Sequence, residues 1–270
     1  HGHPLPRIDE CLERLKGAHY FTSLDLKSGY HQLRIRDQDV PKTAFNTRYG
    51  SYEWLVVPFG LRNSPALFQS TMNRVLHDFL DDFVMVYLDD ILIYSKNKAD
   101  HEVHVRKVLQ RLREEELIAN IRKCEFFKTE LEFLGFRVSG AGILPSSSKV
   151  KAIQEWPVPT NVQEVRQFVG LGSHYRRFIR DFAALAAPLT DQTKGKGYKK
   201  RNIEWSEECQ RAFDEIKSRL SQAPILVPPD PYKPYIIETD ACDYGVGAVL
   251  LQEDSDGIRH PIAFESKKLS

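Results

Sequence analysis

The sequence predicts an α+β fold. Short β-branched and aromatic runs are joined by tight turns, amphipathic stretches of helical period interrupt them, and no βαβ unit or other segment recurs. At 270 residues the chain suggests about two domains, each long enough to bury a core. Hydrophobic residues at 41% and charged residues at 28% are ordinary for a globular protein. A net charge of +1 says nothing of partners, so local basic clusters matter more. Cys11, Cys124, Cys209 and Cys242 lie far apart without CxxC spacing, which argues against a zinc ribbon or a disulfide scaffold and for a reducing, intracellular setting. No apolar run approaches the roughly 20 residues of a membrane span. His1-Gly2-His3-Pro4 lacks the apolar core of a signal peptide.

Residues 7–17 read as a helix with Ile8, Leu12 and Leu15 on one face and Gly17 as its stop. Tyr20 to Ile35 suggests strand, turn, strand around Lys27-Ser28-Gly29. Thr43 to Phe45 and Tyr52 to Val57 suggest two more strands joined at Tyr49-Gly50-Ser51. From Ser64, which can cap it, a helix carries Pro65 in its first turn and an apolar stripe of Leu67, Met72, Val75, Leu76 and Leu80. Residues 100–118 form an amphipathic helix turning Val105, Val108, Leu109 and Leu112 inward. Phe133 to Val138 is a short strand, and Ser139 to Gly142 a turn. Residues 148–156, 161–182 and 204–220 are helical, and the basic Lys194 to Arg201 is a mobile loop. Pro224 to Pro234 reads as a linker before strands at 235–239, 246–252 and 258–264.

The segment of most chemical interest is Phe83 to Tyr94. Two nearly continuous apolar runs flank Asp89-Asp90, which makes a hairpin with buried strands and an acidic tip. Asp is a common turn residue, but two adjacent carboxylates repel unless a cation sits beside them. Asp25, between leucines at the end of another strand, is an unusual carboxylate. Asp25, Asp89 and Asp90 could converge at one end of a sheet and hold two Mg²⁺ ions, which suits an in-line phosphoryl displacement. Asp81-Asp82 is expected to be a solvated pair. His101, Glu102 and His104 lack HExxH spacing and are expected to be solvated on an exposed helix. Neither Gly170-Leu171-Gly172 nor Gly245-Val246-Gly247 completes a dinucleotide fingerprint, and no nucleophile elbow is present.

The ordered series FTSLDLKSGYHQLRI, VPFGLRNSPALFQSTMN, YLDDILIYS and FLGFRVS strongly resembles the reverse transcriptases of gypsy-type LTR retrotransposons. The resemblance implies a right-hand polymerase palm with partial fingers over 1–145, a helical thumb and connection over 146–223, and the first strands of a ribonuclease H-like sheet over 224–270. It implies an RNA-directed DNA polymerase that adds dNTPs to a primer 3′-hydroxyl on an RNA or DNA template. Asp25, Asp89 and Asp90 would be catalytic metal ligands for two Mg²⁺ ions, with Mn²⁺ as a substitute. Tyr30 would gate the sugar, and Phe59, Gly60 and Lys123 would face the nucleotide, although a helix-end lysine solvating a carbonyl reads equally well at Lys123. Pro65, Tyr87, Leu88, Leu134, Gly135 and Phe136 would face primer and template. Arg166, His174, Arg176, Arg177 and Arg180 would follow a duplex backbone or form a merely solvated face. Asp240, in IIETD, would be the first ribonuclease H ligand.

Several departures qualify the match. The family's basic finger segment would precede His1, and the ribonuclease H match stops at Ser270 before its other acids, so nuclease activity is not expected of this chain. The family usually has Ser at Cys242, an Asp-Pro pair near Pro145-Ser146, and often His at Phe136. Expected partners are primer-template and dNTP, with no membrane. Self-association, or contact with other parts of a parent polyprotein, would cover exposed apolar surface. A cytoplasmic particle or the nucleus is the expected location. The alternative reading is a non-catalytic nucleic-acid-binding or interaction protein derived from such an enzyme.

Overall fold

A computed structural model describes residues 6–194, 202–242 and 245–269, and the chain divides into two compact units, residues 1–134 and 135–270. In the first unit, α1 (Ile8–Glu13) ends before the sequence pattern does, and Gly17 follows in a left-handed turn with φ of +70°. β1 (Tyr20–Asp25) forms as expected, but the second strand of 20–35 does not: Gly29–Gln32 winds into a 3₁₀ turn. Tertiary contacts override the strand pattern here. A Cβ at Gly29 would come within 3.0 Å of the buried Phe68 ring, so any larger residue here would make that ring give way. The Gln32 amide donates to the carbonyls of Lys27 and Ile118 and accepts from the Ile118 N–H, which fixes the turn to a distant loop. Strand-like pairing survives between Leu33–Ile35 and Leu55–Val57.

β2 (Phe45–Thr47) and β3 (Gly50–Tyr52) make a hairpin turning at Arg48-Tyr49, and all six strand residues are exposed. α2 (Ser64–Val75) begins with Pro65 in its first turn, but Ser64 does not cap it. Its hydroxyl donates instead to the Pro58 carbonyl at 3.3 Å. β4 (Val84–Tyr87) and β5 (Asp90–Ser95) form the acidic hairpin, followed by α3 (Lys98–Glu114), β6 (Glu125–Lys128) and β7 (Glu130–Phe133). Asn97 caps α3 by accepting from the Asp100 N–H at 2.9 Å. The central sheet runs β4-β5-β1-β6, with antiparallel neighbours. Register puts Leu24, Val84, Val86, Ile91 and Ile93 on one face, where they pack against Phe68 and Met72 of α2 and Val105, Val108 and Leu112 of α3. At roughly 1.5–3 kcal/mol per buried side chain, this two-helix cover is the main source of the sheet's rigidity.

The expectation of solvated histidines on α3 is corrected. His101 is fully buried, bonded through Nε2 to Thr22 Oγ1 and through Nδ1 to Ser95 Oγ, both at 2.8 Å. His104 is half-buried and stacks on Phe83 at 3.8 Å between ring centroids. The N-terminal turn of α3 lies against β1 and β5, so this face is core.

In the second unit, the strand expected over 133–138 is broken. Leu134 and Gly135 both take left-handed conformations, with φ of 52° and 83°, and β8 (Phe136–Ser139) starts only after them. β8 pairs with β9 (Gly142–Pro145). α4 (Ser147–Gln154), α5 (Val162–His174), α6 (Phe182–Leu185), α7 (Ala187–Asp191) and α8 (Glu207–Ser221) follow. The helix expected over 161–182 stops at His174 because buried Tyr175 turns inward and donates its hydroxyl to the Gly135 carbonyl at 2.9 Å. α8 buries Cys209, Ala212, Phe213, Ile216 and Leu220 at helical spacing, with Phe213 against Phe168 at 4.5 Å. β10 (Ile236–Cys242), β11 (Gly245–Glu253) and β12 (Arg259–Lys268) form an antiparallel sheet.

Pro224 to Pro234 is not a free linker. Leu226 is buried and exchanges backbone bonds with Ile143 at 2.8 and 3.0 Å, and Val227 N–H donates to Pro261. Of the basic loop expected over 194–201, all but Lys194 lies outside the described residues.

Candidate active site

The site is built on two strand ends and one turn. β1 and β5 register so that Asp25 lies directly opposite Asp90, and Tyr87 of β4 lies opposite Asp90 on its other side. Residues paired in this way hold their Cβ atoms about 4.5–5.5 Å apart. Asp89 is in the two-residue turn between them, so three carboxylates share one end of the sheet. Asp25 is half-buried, while Asp89 and Asp90 are exposed. Desolvation of its carboxyl, and then the negative charges of Asp89 and Asp25, push the Asp90 pKa up from the ordinary carboxylate value. Among the described residues, no three His, Cys, Asp or Glu side chains are already gathered into a metal cage.

The turn itself is strained. Leu88 has φ of 54°, a region that leucine rarely enters, and its surroundings hold it there. Gln69 of α2, only 1% exposed, accepts from the Leu88 N–H at 2.7 Å and donates to the Val86 carbonyl at 3.1 Å. One amide thus clamps both sides of the acidic turn. The sequence reading missed Gln69. Its signal was a polar residue one turn before Met72, inside the buried stripe of an otherwise apolar helix face.

Tyr30 is in the 3₁₀ turn, not in a strand. Its ring packs edge-on against Phe59 at 5.1 Å and Phe68 at 5.2 Å. Burial, then the charge of Asp89, raise its pKa, which places the phenol near the acidic tip. Phe59 is 63% exposed, and Gly60 beside it has φ of 93° and open space around its α-carbon. Pro65 is in the first turn of α2. Lys123 ends a short 3₁₀ turn with its Nζ 3.8 Å from Asp25 Oδ2, so it faces the carboxylates. An exposed pair of this kind contributes little to stability.

The other expected residues lie elsewhere. Phe136 is 1% exposed and packs on His174, Tyr175 and Phe178, so its ring belongs to the second unit's core, while Leu134 and Gly135 before it are half-buried. Arg176 pairs with Glu265 at 3.2 Å, Arg180 with Asp181 at 3.8 Å, and Arg166 donates to the Thr193 carbonyl at 3.1 Å. Arg177 is half-buried. Asp240 is exposed on β10 opposite Gly247, with Oδ1 accepting from the Ala241 N–H at 2.9 Å.

Residues 2–138 match the family model for reverse transcriptase (RNA-dependent DNA polymerase), and residues 205–270 match that for the RNase H-like domain found in reverse transcriptase. The Pol polyprotein of transposon opus from Drosophila melanogaster is 41% identical over 275 residues, covering 99% of this chain and 27% of the polyprotein. The Pol polyprotein of transposon gypsy from the same species is 43% identical over 259 residues, covering 93% and 25%. The Tf2-3 transposon polyprotein of Schizosaccharomyces pombe is 38% identical, covering 99% and 20%. The chain thus spans about a quarter of the length of the curated relatives it matches. A foamy viral protease-reverse transcriptase solved with an RNA/DNA hybrid gives a TM-score of 0.86 at 26% identity, over 100% of this chain and 36% of the viral one. The same viral enzyme with double-stranded DNA gives 0.83 at 26% identity, over 96% and 54%. The acidic hairpin and its clamping helix lie in the part matched to reverse transcriptase and the final sheet in the part matched to the RNase H-like domain, and the chain belongs to the reverse transcriptase family.

Proposed function

We propose that this chain adds dNTPs to a primer 3′-hydroxyl on an RNA or DNA template, with Asp25, Asp89 and Asp90 as its catalytic centre. The observation that carries the reading is the pairing of Asp25 with Asp90 beside a clamped turn holding Asp89. The donor set is all oxygen, and the like-charge repulsion felt at Asp90 is what a divalent cation would relieve, so the residues fit Mg²⁺, with Mn²⁺ as a substitute. Asp25, Asp89 and Asp90 would hold two such ions, which when bound neutralise charge on the attacking and leaving oxygens. The chain's own contribution is positioning. Gln69 fixes the turn, Tyr30 sets a ring wall beside the acids where a sugar would lie, and Lys123 presents a cation to the departing side. Phe59, Gly60 and Pro65 offer an open surface to nucleotide and template, and Tyr87 and Leu88 face the primer end.

In this reading residues 1–145 are palm with partial fingers, 146–223 thumb and connection, and 224–270 the start of a ribonuclease H sheet in which Asp240 is one ligand. The Leu134-Gly135 backbone turn, Arg176 and Arg177 are assigned to the primer duplex, and self-association to the exposed apolar surface. The setting is a cytoplasmic particle or the nucleus.

Primer extension on poly(rA)–oligo(dT) with Mg²⁺ and dTTP tests the assignment beside an Asp89→Asn variant. Extension should be lost in the variant while duplex binding stays. Comparable extension by both would overturn the site, and binding without extension by either would point to a non-catalytic nucleic-acid-binding protein.

A further inference from the structure

The 3₁₀ turn that carries Tyr30 is held from two sides. On one side are rings: Tyr30 packs edge-on against Phe59 and Phe68, and the Phe68 ring also abuts Gly29. On the other is one amide. Gln32 Nε2 donates to the carbonyls of Lys27 at 2.7 Å and Ile118 at 3.0 Å, and Gln32 Oε1 accepts from the Ile118 N–H at 2.8 Å.

The segment that Gln32 grips also holds a carboxylate of the acidic site. Residues 118–120 run antiparallel beside 25–27 and extend the pairing past the end of β1. Lys27 N–H donates to the Ile118 carbonyl at 2.9 Å, Leu26 bridges Ala119, and Asn120 N–H donates to the Asp25 carbonyl at 2.8 Å. The turn that follows, Ile121–Lys123, brings Lys123 Nζ to 3.8 Å from Asp25 Oδ2. Gln32 therefore ties the turn bearing Tyr30 to the segment that holds Asp25 and bears Lys123.

These bonds do little for the fold. All three are exposed to solvent, where a hydrogen bond exchanges with water and its net contribution is small. Three directed bonds from one half-buried side chain instead fix a position. Without them the ring contacts alone would let the turn pivot about Phe59 and Phe68, and the Tyr30 ring would move against the carboxylates. A site holds its groups within about 0.5 Å of the productive geometry, and a misplacement of about 1 Å can cost about 100-fold.

We propose that Gln32 is a positioning residue for sugar selection: its amide sets where the Tyr30 ring stands against the nucleotide sugar, so that deoxyribose fits and a ribose 2′-hydroxyl does not. The role rests on the polymerase reading above and adds to it a residue that touches no substrate.

The test compares kcat/KM for dTTP and for UTP on poly(rA)–oligo(dT) with Mg²⁺, using the intact chain. Gln32→Met keeps the length of the side chain and makes none of the three bonds. Gln32→Glu keeps the acceptor for the Ile118 N–H and loses both donations. Each should lower the preference for dTTP about ten-fold, chiefly through faster use of UTP, while dTTP turnover changes less than about three-fold. The urea midpoint of unfolding should stay at that of the parent chain. Tyr30→Val is the control and should lose the preference outright. Adding Gln32→Met to Tyr30→Val should change the preference no further, because a residue that acts through the ring then has nothing left to position. A preference intact in both Gln32 variants and lost in Tyr30→Val overturns the role of Gln32 and leaves the polymerase reading standing. Additive losses in the double variant overturn it too, since Gln32 would then act by another route. So does a Gln32→Met chain with a lowered urea midpoint and equal losses for dTTP and UTP, which would make Gln32 structural. An unchanged preference in Tyr30→Val removes the gate and the role of Gln32 with it. No extension with dTTP by the parent chain overturns the polymerase reading itself.

Discussion

Two hairpins in the first unit have the same two-residue connection and opposite surroundings. In β2 and β3 the strands pair across Arg48-Tyr49 and every strand residue faces solvent. In β4 and β5 they pair across Leu88-Asp89, and all but Tyr87 and Asp90, which flank the turn, are buried. The buried pair can hold Leu88 in a left-handed conformation, because Gln69 and the packed faces leave the turn no cheaper alternative. The exposed pair has no such support and presents its rings outward. The same connection length thus goes with a left-handed, clamped Leu88 in one place and with outward-facing rings in the other, and burial separates the two.

Three measurements sharpen this contrast. The largest effect should be acid sensitivity in the buried hairpin's foundation, where His101 bonds Thr22 of β1 and Ser95 of β5. Burial, and to a lesser degree the charge of His104, push its pKa down from 6.5 to about 4, against a smaller upward pull from the Phe21 backbone. Unfolded His101 takes a proton near pH 6.5 and the native one only near pH 4, so in that window the unfolded state binds more protons and stability falls as pH falls. Above pH 6.5 there is no contribution. The full loss is about 3 kcal/mol at roughly 1.4 kcal/mol per unit. Urea unfolding from pH 7 to pH 4 should show it, with a shallower descent in His101→Gln; equal slopes would remove His101 from the account.

Next in size, Gln69→Ala leaves the Leu88 N–H and Val86 carbonyl without their partner and should cost about 2 kcal/mol of stability. Steady-state extension should show a kcat reduced about ten-fold, equivalent to a further 1.4 kcal/mol of barrier, with the KM for dNTP moving less. A variant that loses stability but keeps kcat would make Gln69 a packing residue only. The smallest effect belongs to the exposed hairpin: Tyr52→Ala should shift unfolding by less than about 0.5 kcal/mol, as surface substitutions do. A loss of about 2 kcal/mol or more there would show that the two hairpins are not so different.

Much of this contrast was legible in the chain. The continuous apolar runs around Asp89-Asp90 announced buried strands, and Asp25 between leucines announced a carboxylate held at a sheet end. What escaped was set by distant partners. The 3₁₀ turn at Tyr30 depends on Phe68 and on the Gln32 bonds to residue 118. The burial of His101 depends on Thr22, 79 positions away. The break at Leu134-Gly135 depends on the hydroxyl of Tyr175, and Phe136 looked like a surface grip until that turn redirected it inward. Periodicity reports which side of an element is apolar, and it is silent about which turn a remote side chain will stabilise.

The backbone exchange between Ile143 and Leu226 bears on how this polypeptide can be trimmed. By composition, the proline-rich stretch after residue 223 invites a cut. Yet Leu226 closes the open margin of β9, and its carbonyl comes so near Gly142 that a Cβ there would sit at 2.4 Å. A chain ended at 223 would leave that margin with an unpaired N–H and C=O beside the apolar side chain of Ile143, which is a template for edge-to-edge pairing with another molecule. Such a fragment should precipitate where one ended after 227 stays dispersed, although both keep every helix of the second unit.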